Sequence, residues 1–342
     1  MKNIAIQMFG HLRSYKKVYK SLIENLEIAN KKIGYNVDIF IHTWTETDHS
    51  SITWHNWEGE KRGIRINKEI ENNIMKFYKP KSILITDQLD VEDFIITEKI
   101  GGVPRSFKGV VNVAYTKYMS TQLRIEYAKK NNIKYDYVIV TRPDIIFHSP
   151  FIIDDFLYIY KEYKWNIPEN VIFFGHNHFA RGLLEDKHMI GGSDIIFFGN
   201  EDSINKATSL YKKIKDNKLD IENLKNNFYC FEYFWYEYWI SQGLEPIKLK
   251  YFQFSDYNII RNEEEYAKFM DSYKAKQKEI HDIKVSSLDS RDNNDIYTKI
   301  SNVNDSKKKE TFFQKLFYIN KTSDYIIINL LFIKLTIKRK TK

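Results

Sequence analysis

The sequence predicts an α/β protein with a mainly parallel sheet flanked by helices. Two observations carry this prediction. Short apolar runs rich in β-branched residues alternate along the chain with longer amphipathic stretches. The mid-chain run YVIVT, residues 137–141, has the continuous apolar character of a strand buried on both faces. At 342 residues, the chain is long enough for one large domain of this class or two small ones.

The same patterns assign the elements in chain order. Strands are predicted over 3–9, 37–42, 82–86, 137–141, 171–174 and 247–254, with another after Asp194 that ends at Phe198. Helices are predicted over 14–33, 68–78, 112–131, 201–215, 228–242 and 263–280. The segment 88–105 contains two glycines and a proline, which predicts a loop near the site.

The net positive charge of the chain comes from its last 37 residues. The net charge is +8, yet from Ser306 onward there are ten Lys or Arg and two acids, so the rest is neutral. A neutral body predicts no nucleic-acid partner. The basic, aliphatic segment 306–342 predicts association with an anionic membrane surface, or alternatively a last strand or helix packed on the domain. The predicted organisation is a domain over 1–262, a helix and polar linker over 263–305, and this tail.

Three features predict the compartment. The single cysteine, Cys230, excludes an intrachain disulfide and is typical of a reducing environment. The opening MKNIAIQMFG leads directly into a strand pattern and lacks the features of a signal peptide. The longest apolar run of the tail is about a dozen residues, whereas a membrane-spanning helix needs about 20. The expected location is cytoplasmic, peripheral on the inner face of the cytoplasmic membrane.

Charged residues follow the central strand where a ligand site is expected. Arg142 and Asp144 lie two residues apart between apolar runs, a costly position for charges without partners. Pro143 suits the end of a strand, and open α/β sheets bind ligands at the carboxyl ends of their strands. The spacing is also explained by an ion pair that stabilises a turn.

The first two strands also end in candidate site residues. Gly10-His11-Leu12-Arg13 follows the first strand and precedes a helix, an arrangement that suits a phosphate or a simple tight turn. The second strand closes on Thr43-Trp44, and this indole could stack on a ligand or pack in the core.

Two acidic residues later in the chain are candidates for catalysis. Gly191 and Gly192 permit close backbone approach just before Asp194, which is either a turn residue or a general base. Glu232 lies beside an aromatic stripe at helical spacing, a pattern more often due to helix packing.

Residues 112–147 resemble the bacterial surface-polysaccharide glycosyltransferases of the GT-A type. The shared features are a helix ending in a Lys-rich turn, then YD, an apolar strand, and Arg-x-Asp where better-known relatives have Asp-x-Asp. The G-x-x-R of the first loop and the string D-x-F-x-H-T-W also match, so the resemblance covers roughly residues 1–260. It implies a GT-A-like, Rossmann-related fold. It also implies sugar transfer from a nucleotide-sugar donor to a glycan or lipid-linked acceptor of lipopolysaccharide, O-antigen or capsule.

The resemblance also implies roles for individual residues. Nucleotide-sugar binding falls to Gly10, His11, Arg13, Thr43, Trp44, Arg142 and Asp144. Asp194 and Glu232 are the catalytic candidates, and Gly192 joins Asp194 at the acceptor. Asp-x-Asp holds a divalent cation, Mn²⁺ or Mg²⁺, on the diphosphate, so Asp144 is the predicted metal ligand. Arg142 replaces the other carboxylate, which leaves metal use open, and it could itself bind a phosphate through two hydrogen bonds.

Two other functions remain open on sequence alone. A sugar-phosphate transferase of capsule assembly would use the same residue types and form a phosphodiester. A non-catalytic, membrane-associated scaffold with a GT-A fold would bind nucleotide without turnover. For the glycosyltransferase, the expectation is that Asp144→Asn abolishes transfer and leaves the fold intact.

Overall fold

The computed structural model describes residues 2–49, 63–99, 102–177, 194–253 and 255–272, together with three strands between 317 and 338. The chain divides into two compact units, 1–266 and 267–342. The predicted boundaries at residues 262 and 305 stay predictions.

The first unit contains eleven described strands. They are β1 (Lys2–Phe9), β2 (Tyr35–Trp44), β3 (Ser82–Thr86), β4 (Ile95–Thr97), β5 (Pro104–Ser106), β6 (Tyr137–Thr141), β7 (Ile145–Phe147), β8 (Val171–Asn177), β9 (Phe197–Gly199), β10 (Glu245–Gln253) and β11 (Tyr257–Ile259). The described strands of the second unit are β12 (Phe317–Lys321), β13 (Tyr325–Leu330) and β14 (Ile333–Lys338), which form an antiparallel sheet in that order.

The named helices all lie in the first unit. They are α1 (Tyr15–Leu22), which continues through a π-helical stretch (Ile23–Ile28) into α2 (Ala29–Lys32), then α3 (Lys68–Tyr78), α4 (Phe107–Asn131), α5 (Ile153–Phe156), α6 (Tyr158–Glu162), α7 (Glu201–Ala207), α8 (Leu210–Lys215), α9 (Ile221–Asn227) and α10 (Phe231–Ser241). A further helix covers residues 263–272. Among the described residues, no helix combines the length and apolar character needed to cross a bilayer.

Nine strands of the first unit form one curled, mostly parallel sheet in the order β3-β2-β1-β6-β9-β8-β10-β11-β7. The pairs β2–β3, β1–β2, β1–β6, β8–β10 and β10–β11 are parallel, and β9 and β7 make the antiparallel pairs. The predicted fold class, an α/β protein with a mainly parallel sheet flanked by helices, is confirmed.

Both faces of the central strands are buried, which explains their near-continuous apolar sequence. On one face, Ile4, Ile6 and Met8 of β1 belong to a core that includes residues of α1 and α3. On the other face, Ala5 and Phe9 belong to a core that includes residues of α4, α7 and α10. The sheet therefore lies between two helical layers.

The strand order reverses direction beside β1. The chain passes from β1 outward to β2 and β3, then returns through the 25-residue helix α4 to place β6 on the other side of β1. Because β1, β2 and β6 are parallel, their carboxyl ends meet at one edge. A crevice between strands at such a switch point is the usual ligand site of open α/β sheets.

Local differences from the predicted elements have local causes. The helix predicted over 201–215 is divided at Thr208, whose hydroxyl donates to the Ile204 carbonyl (2.8 Å) and so competes with the helical backbone. The helix predicted from residue 228 begins at Phe231, because Cys230 is extended and its sulfur accepts from the Tyr233 N–H. The predicted loop 88–105 contains the first strand and part of the second strand of the β4–β5 hairpin.

Candidate functional site

A cavity of about 230 Å³ lies at the switch point. Its walls are the turns that follow β1 and β6, the end of β2, the start of α4, the first turn of α10 and the ends of β10 and β11. The lining residues are Phe9, Gly10, His11, Arg13, Trp44, His49, Gln88, Arg105, Ser106, Gly109, Val110, Asn112, Val113, Thr116, Arg142, Asp194, Ile195, Phe231, Glu232, Gln253, Ile259 and Arg261.

Most of the sequence-predicted site residues meet at this cavity. Those that line it are Gly10, His11, Arg13, Trp44, Arg142, Asp194 and Glu232. Thr43 and Asp144 are fully buried and do not line it. Gly192 lies outside the described residues.

The turn after β1 is held by one hydroxyl on α4. Gly10 has φ +96°, a conformation that favours glycine, and its N–H donates to Thr116 Oγ1 (3.0 Å). The same oxygen contacts His42 Nδ1 (2.7 Å) on β2. Arg13 also has a positive φ, +41°, and its N–H donates to the Thr47 carbonyl (2.8 Å). The backbone of this turn is therefore fixed from two sides.

A buried carboxylate joins two arginines beneath the cavity. Arg142 donates from Nε to Asp144 Oδ1 (2.9 Å) and from Nη2 to Oδ2 (2.7 Å), while Arg13 Nη1 donates to Oδ2 (2.9 Å). Arg13 Nε also donates to Asp48 Oδ1 (2.6 Å). Burial alone would raise the pKa of Asp144, but Arg142 and Arg13 hold that pKa well below its usual range.

Arg261 brings a third guanidinium to the same cavity. The Ile260 N–H donates to the Asp144 carbonyl (2.8 Å), and the Ser14 hydroxyl donates to the Ile260 carbonyl, so this segment is tied to both other arginine-bearing turns. Burial, followed by the charges of Arg142 and Arg13, lowers the pKa of Arg261 to about 10. Arg261 Nη1 also lies 3.6 Å from Glu265 Oε1, but the charges of Arg142 and Arg13 outweigh those of Glu265 and Asp144 there, which favours an anion.

The start of α4 contributes a second anion-attracting feature. Ser106 is its N-cap and accepts from the Gly109 N–H (3.1 Å). Both residues line the cavity, where the positive end of a 25-residue helix favours negative charge. Arg105, one residue earlier, donates from Nε to Glu98 (2.8 Å).

Two further aromatic residues, His11 and Trp44, line the cavity. His11 donates from Nδ1 to the Glu46 carbonyl (3.0 Å) and accepts at Nε2 from the Gln88 amide (3.1 Å), the pattern of a neutral ring. Burial, helped by Arg13, lowers the pKa of His11 to about 3. Trp44 is 2% exposed and stacks on Tyr115 at 5.8 Å between ring centroids, so it is a packed indole that still reaches the cavity.

An acidic pair occupies the other side of the cavity. Glu232 is in the first turn of α10, and burial together with the nearby Asp194 carboxylate raises the pKa of Glu232 to about 7. Asp194 Oδ1 is buried and accepts no hydrogen bond from the described residues. Glu232 can therefore hold a proton near neutral pH beside the Asp194 side chain.

Lys117 lies within the protein on this acidic side. Its Nζ is 3.8 Å from the Trp235 ring centroid and 4.7 Å from that of Phe9, and no described residue accepts a hydrogen bond from it. Burial lowers the pKa of Lys117 to about 7, against the attraction of Asp194. The aromatic rings partly compensate the missing ion pair.

The described residues do not fit the expected divalent-cation site. Asp144, the predicted ligand, has no exposed surface, and both of its oxygens accept hydrogen bonds from arginines. Within the part of the chain that the structure describes, no three His, Cys, Asp or Glu side chains are grouped as metal ligands.

The comparisons with known proteins leave the family open. No family model matches this chain. No curated protein matches it. A nucleoside-diphosphate-sugar pyrophosphorylase from Vibrio cholerae RC9 is similar in structure, with 12% identity and a TM-score of 0.37 over 78% of this chain and 98% of that one. The glycosyltransferase GlyE of Streptococcus pneumoniae TIGR4 is similar with 8% identity and a TM-score of 0.34 over 73% of this chain and 46% of that one. Likeness at these TM-scores identifies no activity.

Several lining residues were not singled out from the sequence. On α4 they are Gly109, Asn112, Val113 and Thr116, which share one helix face by their spacing of three and four. Gln88 and Arg105 come from the segment expected near the site. Arg261 has no local sequence feature that indicates its neighbours in the cavity, because Arg13 and Arg142 lie far away along the chain.

Proposed function

We propose that this chain is a glycosyltransferase that moves a sugar from a nucleotide-diphosphate donor to a glycan acceptor in the switch-point cavity. One observation carries the proposal. The cavity joins an anion-attracting side, made of three arginines and the start of α4, to an acidic side, made of Asp194 and Glu232. Sugar transfer from a nucleotide diphosphate needs these two environments next to each other.

The anion-attracting side would hold the donor diphosphate and stabilise it as it leaves. Arginine forks and helix N-termini are suited to phosphate oxygens. Stabilisation of the developing negative charge by fixed donors would be the main catalytic contribution. His11 and Trp44 would lie against the nucleotide.

The acidic side would hold the acceptor. Asp194 has a buried oxygen that accepts no hydrogen bond from the described residues, so an acceptor hydroxyl would supply the missing donor. From that position, the carboxylate would take the hydroxyl proton as the glycosidic bond forms. Asp194 helps to raise the pKa of Glu232, so Glu232 would hold a proton next to the acceptor hydroxyl.

The acceptor class follows from the sequence resemblance to bacterial surface-polysaccharide enzymes. A lipid-linked glycan of lipopolysaccharide or capsule would be met at the inner face of the cytoplasmic membrane, with the basic tail 306–342 on anionic lipid. These assignments extend the proposal beyond the cavity itself.

The direct test is a calorimetric screen of nucleotide sugars, followed by product analysis with the best donor. We expect one nucleotide sugar to bind, and Asp194→Asn to bind it normally while transfer falls by about 100-fold or more. A phosphodiester product would assign the chain to sugar-phosphate transfer, and donor binding without any transfer would favour a scaffold. No binding of any nucleotide sugar would refute the proposal.

A further inference from the structure

We infer that the donor diphosphate is bound by a guanidinium triad, Arg13, Arg142 and Arg261, without a divalent cation, and that Asp144 is the internal counter-ion of this triad. This inference rests on the proposed function and specifies how its donor is held. It reverses the role that the Arg-x-Asp pattern gives to Asp144.

The Asp144 carboxylate is already bound by two arginines. Its two oxygens accept three N–H groups at 2.7 to 2.9 Å, and the side chain has no exposed surface. A metal ion would have to displace these hydrogen bonds. Displacement would leave Arg13, 6% exposed, as a buried cation with one partner fewer, which is strongly unfavourable.

Arg13 and Arg142 have more N–H groups than their carboxylate partners use. A guanidinium carries five N–H groups. Arg142 uses Nε and Nη2 for Asp144, and Arg13 uses Nε and Nη1 for Asp48 and Asp144, so each retains N–H groups for a ligand. Both line the cavity, and Asp144 fixes the planes of both forks. A fixed planar fork is suited to two phosphate oxygens.

The charges around Arg261 favour an anion at the cavity wall. At Arg261, repulsion from Arg142 and Arg13 exceeds the attraction of Glu265 and Asp144. Asp48, Asp144 and Glu265 pair with the arginines and hold the triad together, yet at Arg261 the two neighbouring guanidinium groups outweigh the carboxylates. A diphosphate bound there would be stabilised by the guanidinium groups, which would do for the phosphates what a divalent cation does elsewhere.

The fold itself brings the three arginines to one cavity before any ligand binds. The three arginines belong to segments far apart in sequence, yet hydrogen bonds connect these segments: the Ile260 N–H donates to the Asp144 carbonyl (2.8 Å), and the Ser14 hydroxyl donates to the Ile260 carbonyl. The triad is assembled by the fold and does not need a metal ion to gather it. Preorganised donors reduce the entropic cost of binding.

The test is calorimetry on the full chain with UDP, GDP, ADP and CDP, each in EDTA and in Mn²⁺. We expect the best of these nucleotides to bind with the same dissociation constant, within about twofold, under both conditions. Arg142→Gln should weaken binding by about tenfold or more, because it removes a charged phosphate donor.

Arg124→Gln is the matched control. Arg124 is also a buried arginine, 1% exposed, bonded to Gln7 and Glu201, but it does not line the cavity. Its replacement should lower thermal stability and leave the nucleotide affinity of the folded protein unchanged. A loss of affinity in Arg142→Gln alone therefore reports the triad and not general destabilisation.

Arg142→Asp adds a second discriminating variant, since it restores the Asp-x-Asp pattern. We expect it to lose nucleotide binding in both EDTA and Mn²⁺. Gain of Mn²⁺-dependent binding by this variant, or parent binding that requires Mn²⁺, would overturn the triad while the proposed function survives. Absence of binding to all four nucleotides and to all nucleotide sugars would instead refute the proposed function, and the triad with it.

Discussion

At the residue scale, Asp144 shows how burial changes the expected effect of a substitution. The sequence pattern predicts that Asp144→Asn abolishes transfer and spares the fold. In the structure, the carboxylate is enclosed between Arg13 and Arg142. Removing one partner of a buried ion pair costs about 3–5 kcal/mol, so Asp144→Asn should destabilise the protein by about 3 kcal/mol or more as well as weaken donor binding. Urea unfolding measures the first effect and calorimetry the second.

Asp48→Asn is the control for this prediction. Asp48 is the other carboxylate partner of Arg13, but its side chain is 17% exposed, so water compensates part of the lost charge. We expect a smaller loss of stability than for Asp144→Asn. Equal losses for the two variants would contradict the role of Asp144 as the buried counter-ion.

Glu232 should make the stability of the protein depend on pH. In the unfolded chain its pKa is about 4.5, and in the folded protein burial and Asp194 raise it to about 7. Because the folded state retains this proton longer, stability falls as pH rises from about 4.5 to 7. Glu232→Gln removes this loss, so the variant should exceed the parent by about 1–3 kcal/mol at pH 8 and match it near pH 4.

The measurement is urea unfolding of both proteins at the two pH values. Glu237→Gln on the exposed face of the same helix is the control, and it should change little at either pH. A Glu232→Gln variant with the same advantage at pH 4 and pH 8 would show that repacking, and not titration, changes its stability.

At the element scale, alanine substitutions can distinguish the effect of the turn between β1 and α1 on stability from its effect on nucleotide binding. Gly10 and Gly34 have nearly the same backbone, φ +96° and +99°, and an added Cβ would meet no atom within 4 Å at either position. Alanine at each should cost about 1–2 kcal/mol from backbone strain alone. Only Gly10→Ala should weaken nucleotide binding, because only Gly10 lines the cavity.

Thermal unfolding and calorimetry on the two alanine variants test this directly. Since Gly34→Ala carries the same backbone strain outside the cavity lining, it corrects for any general loss of stability. Nucleotide affinity reduced equally in both variants would exclude a specific role for the turn.

Helices and strands were predictable where their burial in the folded protein follows directly from the local apolar pattern. β3, β6 and α3 have the predicted bounds, and β1 agrees within one residue, because buried strands and amphipathic helices are recognisable from short windows. The division of α7 from α8 and the hairpin of β4 and β5 were missed. Each depends on specific hydrogen bonds that no periodicity reports.

At the scale of the whole molecule, the division into two units predicts that the tail is dispensable for folding. The three core clusters formed by the residues whose burial the structure describes lie within the first unit. We expect deletion of residues 306–342 to retain the fold and nucleotide binding and to abolish binding to anionic vesicles, because the excess positive charge is in that segment.

Vesicle co-sedimentation with anionic and with neutral lipid measures this effect. Binding of the truncated protein equal to that of the full chain would mean that the tail does not bind the membrane. Loss of cooperative thermal unfolding after truncation would instead indicate that the tail packs on the domain.

The site was only partly predictable at this scale. Gly10, Arg13 and Arg142 line the cavity because each follows a strand whose carboxyl end reaches one edge of the sheet, and Trp44 lines it because it ends such a strand. The position of Asp144 behind Arg142, and the arrival of Arg261 beside them, depend on the return of β11 and β7 to the far edge of the curled sheet. That path is a long-range property that no short segment encodes.

The Thr116 hydroxyl has a consequence for how substrates reach this cavity. It accepts the Gly10 N–H and contacts His42, so a single oxygen joins the β1 turn, β2 and α4. Since none of the three can move away without breaking this junction, that wall of the cavity behaves as a stiff frame. Under the proposed function, we therefore expect a bulky acceptor to enter past Asp194 and Glu232 and not through this wall.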